Sequence, residues 1–128
     1  MIIKNYNIIF LLFLSLFSLW VNNIYGNIGI LPIDSFAFFD TAHSILLGKH
    51  PFKDFWITTG PLVDYLQALF FEIFGIKWFS YVIHASFFNL IITISSFIFF
   101  ISNKLNIFLS FFYSLSISIL CYPIMGTP

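Results

Sequence analysis

The sequence predicts an all-α membrane protein with about three transmembrane helices and a long first loop. Three observations support this class: 60% of the 128 residues are hydrophobic, 23% are aromatic, and only 8% are charged. A soluble domain carries roughly 25% charged residues, so an ordinary globular protein is excluded. The formal net charge is zero and the chain has no arginine, which leaves no basic surface for nucleic acid.

The first predicted transmembrane helix covers residues 6–25. It contains the apolar run from Ile8 to Val21 and follows Lys4, and a helix of this length spans roughly 30 Å of hydrocarbon. A cleaved signal peptide would also begin with a lysine and an apolar run. Residues 21–29 offer no cleavage site of the Ala-x-Ala kind, which favours a helix that stays in the membrane.

The long first loop covers residues 26–75 and contains all the acidic residues of the chain. Asp34 and Ser35 are both good N-cap types and Gly48 suits a helix end, so a first short helix is expected between them. Residues 49–60 have no clear hydrophobic periodicity and are expected to form an ordered loop.

A second short helix is expected from Pro61 to Phe74, because proline suits the first helical position. Its length of about 21 Å is too short to cross a membrane, so both short helices are expected to lie in the membrane interface. Asp64 and Gln67 are expected to share its water-facing side. Its apolar residues are expected to face lipid or protein: Leu62, Tyr65, Leu66, Leu69, Phe70 and Ile73.

Two further transmembrane helices are predicted at residues 76–101 and 105–122, joined by a tight turn at 102–104. His84 lies about two turns into the second of the three spans, where a bond to a neighbouring helix is expected because ionisable groups are costly in lipid. The third span carries a serine every four residues, a stripe that permits close helix packing: Ser110, Ser114 and Ser118.

The segment from Asp34 to Gly75 carries the pattern D-x₇-A-x₂-I-L-x-G-x-x-P-F-x-D-F-W-x-x-x-G-P-L-x-x-Y-L-x-A-L-x-F-x-I-F-G. This pattern resembles the first extracytoplasmic loop of the polytopic GT-C-type glycosyltransferases, which include bacterial relatives of protein O-mannosyltransferases and of the lipid A aminoarabinose transferase. The resemblance implies a multi-pass protein of the cytoplasmic membrane with its first loop outside the cytoplasm.

The resemblance also implies an activity. Such enzymes move a sugar from a polyprenyl-phosphate donor in the lipid bilayer to a glycan, lipid or protein acceptor. Asp34 matches the acidic position that serves the family as catalytic base, while Ser35 stands where a second acidic residue often follows. A purely structural role for Asp34, as a helix N-cap, stays open.

Four more residues are candidates for substrate binding. A departing phosphate needs cations or hydrogen-bond donors, and Lys49, His50 and Lys53 are the clustered cations of the loop. Contact with lipid headgroups is their alternative role. Asp54 is also a candidate, although its carboxylate could instead cap the loop backbone.

No metal-ligand spacing, phosphate-cradling glycine loop or nucleophile elbow occurs in the sequence. We therefore expect no cofactor besides the lipid-linked sugar, and whether a divalent metal assists stays open. Members of the resembled family are several times longer, so we expect the chain to be an amino-terminal fragment that is inactive alone. The alternative is a small non-enzymatic membrane subunit or scaffold whose amphipathic loop docks a partner.

Overall fold

The structure, a computed structural model, describes residues 5–28, 32–57 and 60–120. Within these residues the chain forms five helices and no strand, which confirms the all-α class. The helices are α1 (Asn5–Ile28), α2 (Pro32–Leu46), α3 (Pro61–Phe74), α4 (Trp78–Ser102) and α5 (Ile107–Leu120).

Two of these helices are long and apolar enough to cross a membrane. The apolar part of α1 covers Asn7–Ile28 and that of α4 covers Trp78–Ser102, and both have a mean hydropathy of 1.9. Each exceeds the roughly 20 residues that a bilayer requires. The helix α5 is also apolar but shorter, and the last two residues of the third predicted span lie outside the described residues.

Glycine and proline set the helix boundaries, as the sequence predicted. Pro61 opens α3, and Gly75 ends it with a φ of 85° while its N–H donates to Phe71 O at 2.8 Å. The start of α2 differs from the prediction, because the helix begins at Pro32 and Asp34 lies inside its first turn. Proline has its φ preset for the first helical turn and needs no hydrogen-bond partner there.

The described part of the chain has a polar interior and an apolar surface. Thirteen of its twenty-one buried residues are polar or charged, whereas large aliphatic and aromatic side chains are exposed along all five helices. A soluble protein buries its apolar side chains. The reverse arrangement suits a protein surrounded by hydrocarbon, where polar groups must find partners inside.

Hydrogen bonds join α1, α4 and α5 through this polar interior. Asn89 Nδ2 on α4 donates to Asn22 Oδ1 on α1 at 2.7 Å and to Ser118 O on α5 at 3.1 Å. Thr93 Oγ1 donates to Asn89 Oδ1 at 3.2 Å. The close packing predicted for the serine stripe is confirmed, because all three of its residues are fully buried: Ser110, Ser114 and Ser118.

The helices α2 and α3 pack against each other as a hairpin, and α3 also contacts α4. The hairpin has a small apolar core of Ala42, Ala68 and Phe71, with Phe39 and Ile45 against it. The rings of Phe39 and Phe71 lie 4.5 Å apart between centroids. This hairpin carries the residues that the sequence nominated for function.

Candidate functional site

Asp34, the predicted base, lies in the first turn of α2, and its side chain lies outside the described residues. Thr41 follows it by seven residues, which is two helical turns, so both residues belong to one row of α2. The hydroxyl of Thr41 hydrogen-bonds to Asp64 Oδ1 on α3. Thr41 therefore lies on the side of α2 that faces α3.

Asp64 and Gln67 were predicted to face water, and this prediction was wrong. Both side chains are only 1% exposed. The apolar side of α3 is the outer one: Leu62, Tyr65, Leu69 and Ile73 are exposed. The physical reason is that the polar side chains of α3 face the polar groups of α2 and α4. Its apolar side chains are therefore on the outer surface.

His84 bonds to a neighbouring helix, as predicted. Its Nδ1 donates to Gln67 Oε1 at 2.7 Å, since an amide oxygen can only accept. The imidazole also lies between two aromatic rings, with Phe70 at 4.9 Å and Phe88 at 5.1 Å between centroids. Gln67 and His84 thus fix α3 to the second turn of α4.

This polar interior is not fully hydrogen-bonded. Four buried side-chain atoms have no hydrogen-bond partner in the described part of the chain: Ser35 Oγ, Asp64 Oδ2, Gln67 Nε2 and His84 Nε2. An unpaired buried polar atom costs about 1–3 kcal/mol. These four groups can therefore form further hydrogen bonds, with Gln67 Nε2 as a donor and Asp64 Oδ2 as an acceptor. Sequence reasoning missed Asp64 and Gln67 as interior residues.

The four predicted binding residues lie together in the loop between α2 and α3. Lys49, His50, Lys53 and Asp54 are all exposed. The carboxylate of Asp54 accepts from the backbone N–H of His50 at 2.8 Å, which is the structural role that the sequence left open for it. The imidazole Nδ1 of His50 lies 3.1 Å from the hydroxyl of Tyr65.

The structure does not bring this loop to the predicted base. Lys49 N–H donates to Ser44 O at 3.1 Å, so Lys49 lies beside the last turn of α2. Asp34 lies in the first turn, ten residues before Ser44, and ten residues of helix extend about 15 Å. The predicted base and the predicted phosphate-binding cations therefore lie near opposite ends of α2.

A further open cleft of about 320 Å³ lies on another side of α2. Its lining residues are Phe36, Phe39, Asp40, His43 and Ile76. No ion pair joins Asp40 to His43 in the described ranges, although their spacing would allow one. Within these ranges no group of three histidine, cysteine or acidic residues could hold a metal ion.

The chain was compared with known protein families, with curated proteins and with solved structures. No match was found in any of the three comparisons.

Proposed function

We propose that the chain belongs to a GT-C-type glycosyltransferase, which moves a sugar from a polyprenyl-phosphate donor to a glycan, lipid or protein acceptor. The observation that supports the proposal is the position of Asp34 in the first turn of α2, the first short helix after α1. In the sequence pattern, Asp34 matches the acidic position of the resembled loop. The proposal includes three spans, α1, α4 and α5, in the cytoplasmic membrane with the α2–α3 hairpin outside the cytoplasm.

In this proposal Asp34 takes the proton from an acceptor hydroxyl. The hydroxyl oxygen then attacks the anomeric carbon, and the bond from that carbon to the phosphate oxygen breaks with inversion. The polyprenyl phosphate leaves with the bonding electron pair. Because the reacting atoms must lie about 3–3.5 Å apart, the leaving phosphate must also lie near the base.

The loop cations stand about 15 Å along α2 from that base. In the present arrangement Lys49, His50 and Lys53 therefore lie too far from Asp34 to contact the phosphate that leaves there. Thr41, whose hydroxyl bonds to Asp64 of α3, is two turns from Asp34 along α2 and is therefore closer to it than Lys49 is.

The experiment is Asp34→Asn in the protein expressed from its complete reading frame and reconstituted in vesicles with polyprenyl-phosphate hexoses and pentoses. Loss of a general base lowers turnover by about 10²–10⁴-fold, so transfer should be lost while membrane insertion is normal. The control is Asp40→Asn, an exposed carboxylate on another side of α2, which should leave transfer unchanged. Turnover retained by Asp34→Asn would overturn the proposal.

The rival proposal is a non-enzymatic subunit or scaffold. It is favoured by one observation, the exposed apolar side of α3 that includes Leu62, Leu69 and Ile73. A scaffold would tolerate Asp34→Asn and would lose function when this side of α3 is made polar. The enzyme proposal predicts the opposite ranking of the two changes.

A further inference from the structure

We propose that the loop between α2 and α3 binds the anionic surface of a lipid bilayer. In this arrangement Phe52 and Trp56 lie among the headgroups, and Lys49 and Lys53 contact lipid phosphates. The proposal concerns only the loop, and its choice of the bilayer over the sugar donor as the source of phosphate rests on the proposed role of Asp34.

The loop is a closed turn with a defined backbone. His50 O accepts from Asp54 N–H at 2.9 Å and from Lys53 N–H at 3.2 Å, and Phe52 N–H donates to Phe55 O at 2.8 Å. The carboxylate of Asp54 closes the same turn through the backbone N–H of His50. At the end of the loop Ile57 is buried, and His50 Nδ1 lies 3.1 Å from the hydroxyl of Tyr65 on α3.

Two large aromatic side chains project from this turn. Phe52 is 54% exposed and Trp56 is 78% exposed, and their rings form an edge-to-face pair with centroids 5.4 Å apart. Phe52 has a φ of 63°, a left-handed conformation that is rare for a bulky residue and is held by the turn. Exposed tryptophan and phenylalanine on a fixed turn are suited to the headgroup region of a bilayer.

The charge of the turn complements an anionic surface. Lys49 and Lys53 are exposed, and neither forms an ion pair within the described ranges. The one acidic residue of the turn, Asp54, already accepts a backbone hydrogen bond. Lysine side chains place apolar stems beside aromatic rings while their ammonium groups reach phosphates, and basic clusters bind anionic leaflets.

Distance favours the bilayer over the sugar donor as the source of the phosphate. The turn lies near the far end of α2 from Asp34, at about 15 Å along the helix axis. A phosphate bound there is not the one that leaves during transfer at Asp34. Bilayer lipids supply phosphates wherever an exposed aromatic turn meets the membrane surface.

The test uses the native sequence labelled with fluorotryptophan and placed in nanodiscs. The fluorine resonance of Trp56 is assigned with Trp56→Phe, and that of Trp20 on α1 serves as an internal reference. One set of discs carries phosphatidylcholine alone and the other includes phosphatidylglycerol, each with a spin label on the lipid headgroup. The Trp56 resonance should broaden most strongly in the anionic discs at low salt.

A lysine near an anionic surface contributes a factor of about five in binding. The variant Lys49→Gln/Lys53→Gln should therefore lose most of the dependence on phosphatidylglycerol. The matched control is Lys104→Gln in the turn between α4 and α5, which should leave the Trp56 resonance unchanged.

Two results would overturn the proposal. The first is a Trp56 resonance that broadens with a water-soluble paramagnetic agent and is insensitive to the headgroup label. The second is broadening of the Trp56 resonance that requires added polyprenyl phosphate and does not depend on phosphatidylglycerol. That result would indicate that the lysines bind the phosphate of the sugar donor. Transfer by Asp34 is measured independently with Asp34→Asn, so failure of the one proposal can be told from failure of the other.

Discussion

Gln67 on α3 accepts a hydrogen bond from His84 Nδ1 on α4 at 2.7 Å, inside a protein whose outer surface is apolar. The bond joins the hairpin of α2 and α3 to a helix that is long and apolar enough to cross a membrane. The two side chains therefore couple the position of the hairpin to that of α4.

Gln67→Leu should weaken the contact between α3 and α4. The change leaves both nitrogens of His84 unpaired in the interior, and an unpaired buried group costs about 1–3 kcal/mol. The free energy of unfolding in detergent micelles should fall by that amount. In a double-mutant cycle with His84→Leu, the second substitution should cost less in the Gln67→Leu background. Strictly additive effects would show that the bond contributes nothing.

Thr41→Val should loosen α2 from α3. The substitution keeps the shape of the side chain but removes the hydroxyl that bonds to Asp64, which leaves the buried carboxylate without its partner. Amide hydrogen exchange should become faster across α2 while exchange in α4 stays slow. Thr41→Ser retains the hydroxyl and is the matched control. Equal exchange in the valine and serine variants would contradict the prediction.

Gly26→Ala should separate α1 from α4. A Cβ atom at residue 26 would lie 2.7 Å from Cγ2 of Val82, closer than real contacts allow. Overpacking of this kind costs about 1–3 kcal/mol. The same glycine accepts a hydrogen bond from Trp78 Nε1 at 2.7 Å, so the separation also strains that bond. Unfolding in detergent should occur at a lower temperature.

Val82→Ala supplies the control for the glycine substitution. It removes the two methyl groups that collide with the added Cβ, so the double variant Gly26→Ala/Val82→Ala should recover part of the lost stability. No recovery would mean that the glycine is needed for a reason other than contact with Val82.

The helix α1 should remain in the mature protein. Asn22 of α1 accepts the amide of Asn89, and Trp78 bonds to the carbonyl of Gly26, so removal of α1 would leave two polar groups of α4 without these partners. An amino-terminal epitope tag should stay on the protein purified from membranes. Loss of the tag together with cleavage near residue 25 would instead identify a signal peptide.

The helix positions could be predicted from sequence because they depend on local rules. Apolar runs of sufficient length located α1 and α4, and Gly60, Pro61 and Gly75 located the ends of α3. The serine stripe of α5 predicted close helix packing, because serine side chains are small. In each case the residues that decide the outcome are neighbours in the chain.

The direction in which α3 faces could not be predicted in the same way. Helical periodicity places Asp64 and Gln67 on one side, but it is the same whether that side meets water or other helices. The direction of this side is determined by its hydrogen-bond partners Thr41 and His84, which lie on other helices. A composition as apolar as this one is the signal that polar rows turn inward.

The separation between Asp34 and the loop cations follows from the short helix that the sequence predicted between Asp34 and Gly48. Fifteen positions separate Asp34 from Lys49, a spacing that a compact loop could close to contact distance. The intervening residues form α2, and a continuous helix holds its two ends apart. Residue types alone nominated both groups as parts of one site, whereas the predicted helix between them keeps them about 15 Å apart.

The bonds of Asn89 also bear on how the protein is made. Its amide has one acceptor on α1 and one on α5, and an unpaired amide in hydrocarbon costs several kcal/mol. During synthesis α1 precedes α4 and α5 follows it. Asn22 is thus the first partner available, so α4 should leave the insertion channel already paired with α1. Helix α5 then supplies the second acceptor, the carbonyl oxygen of Ser118.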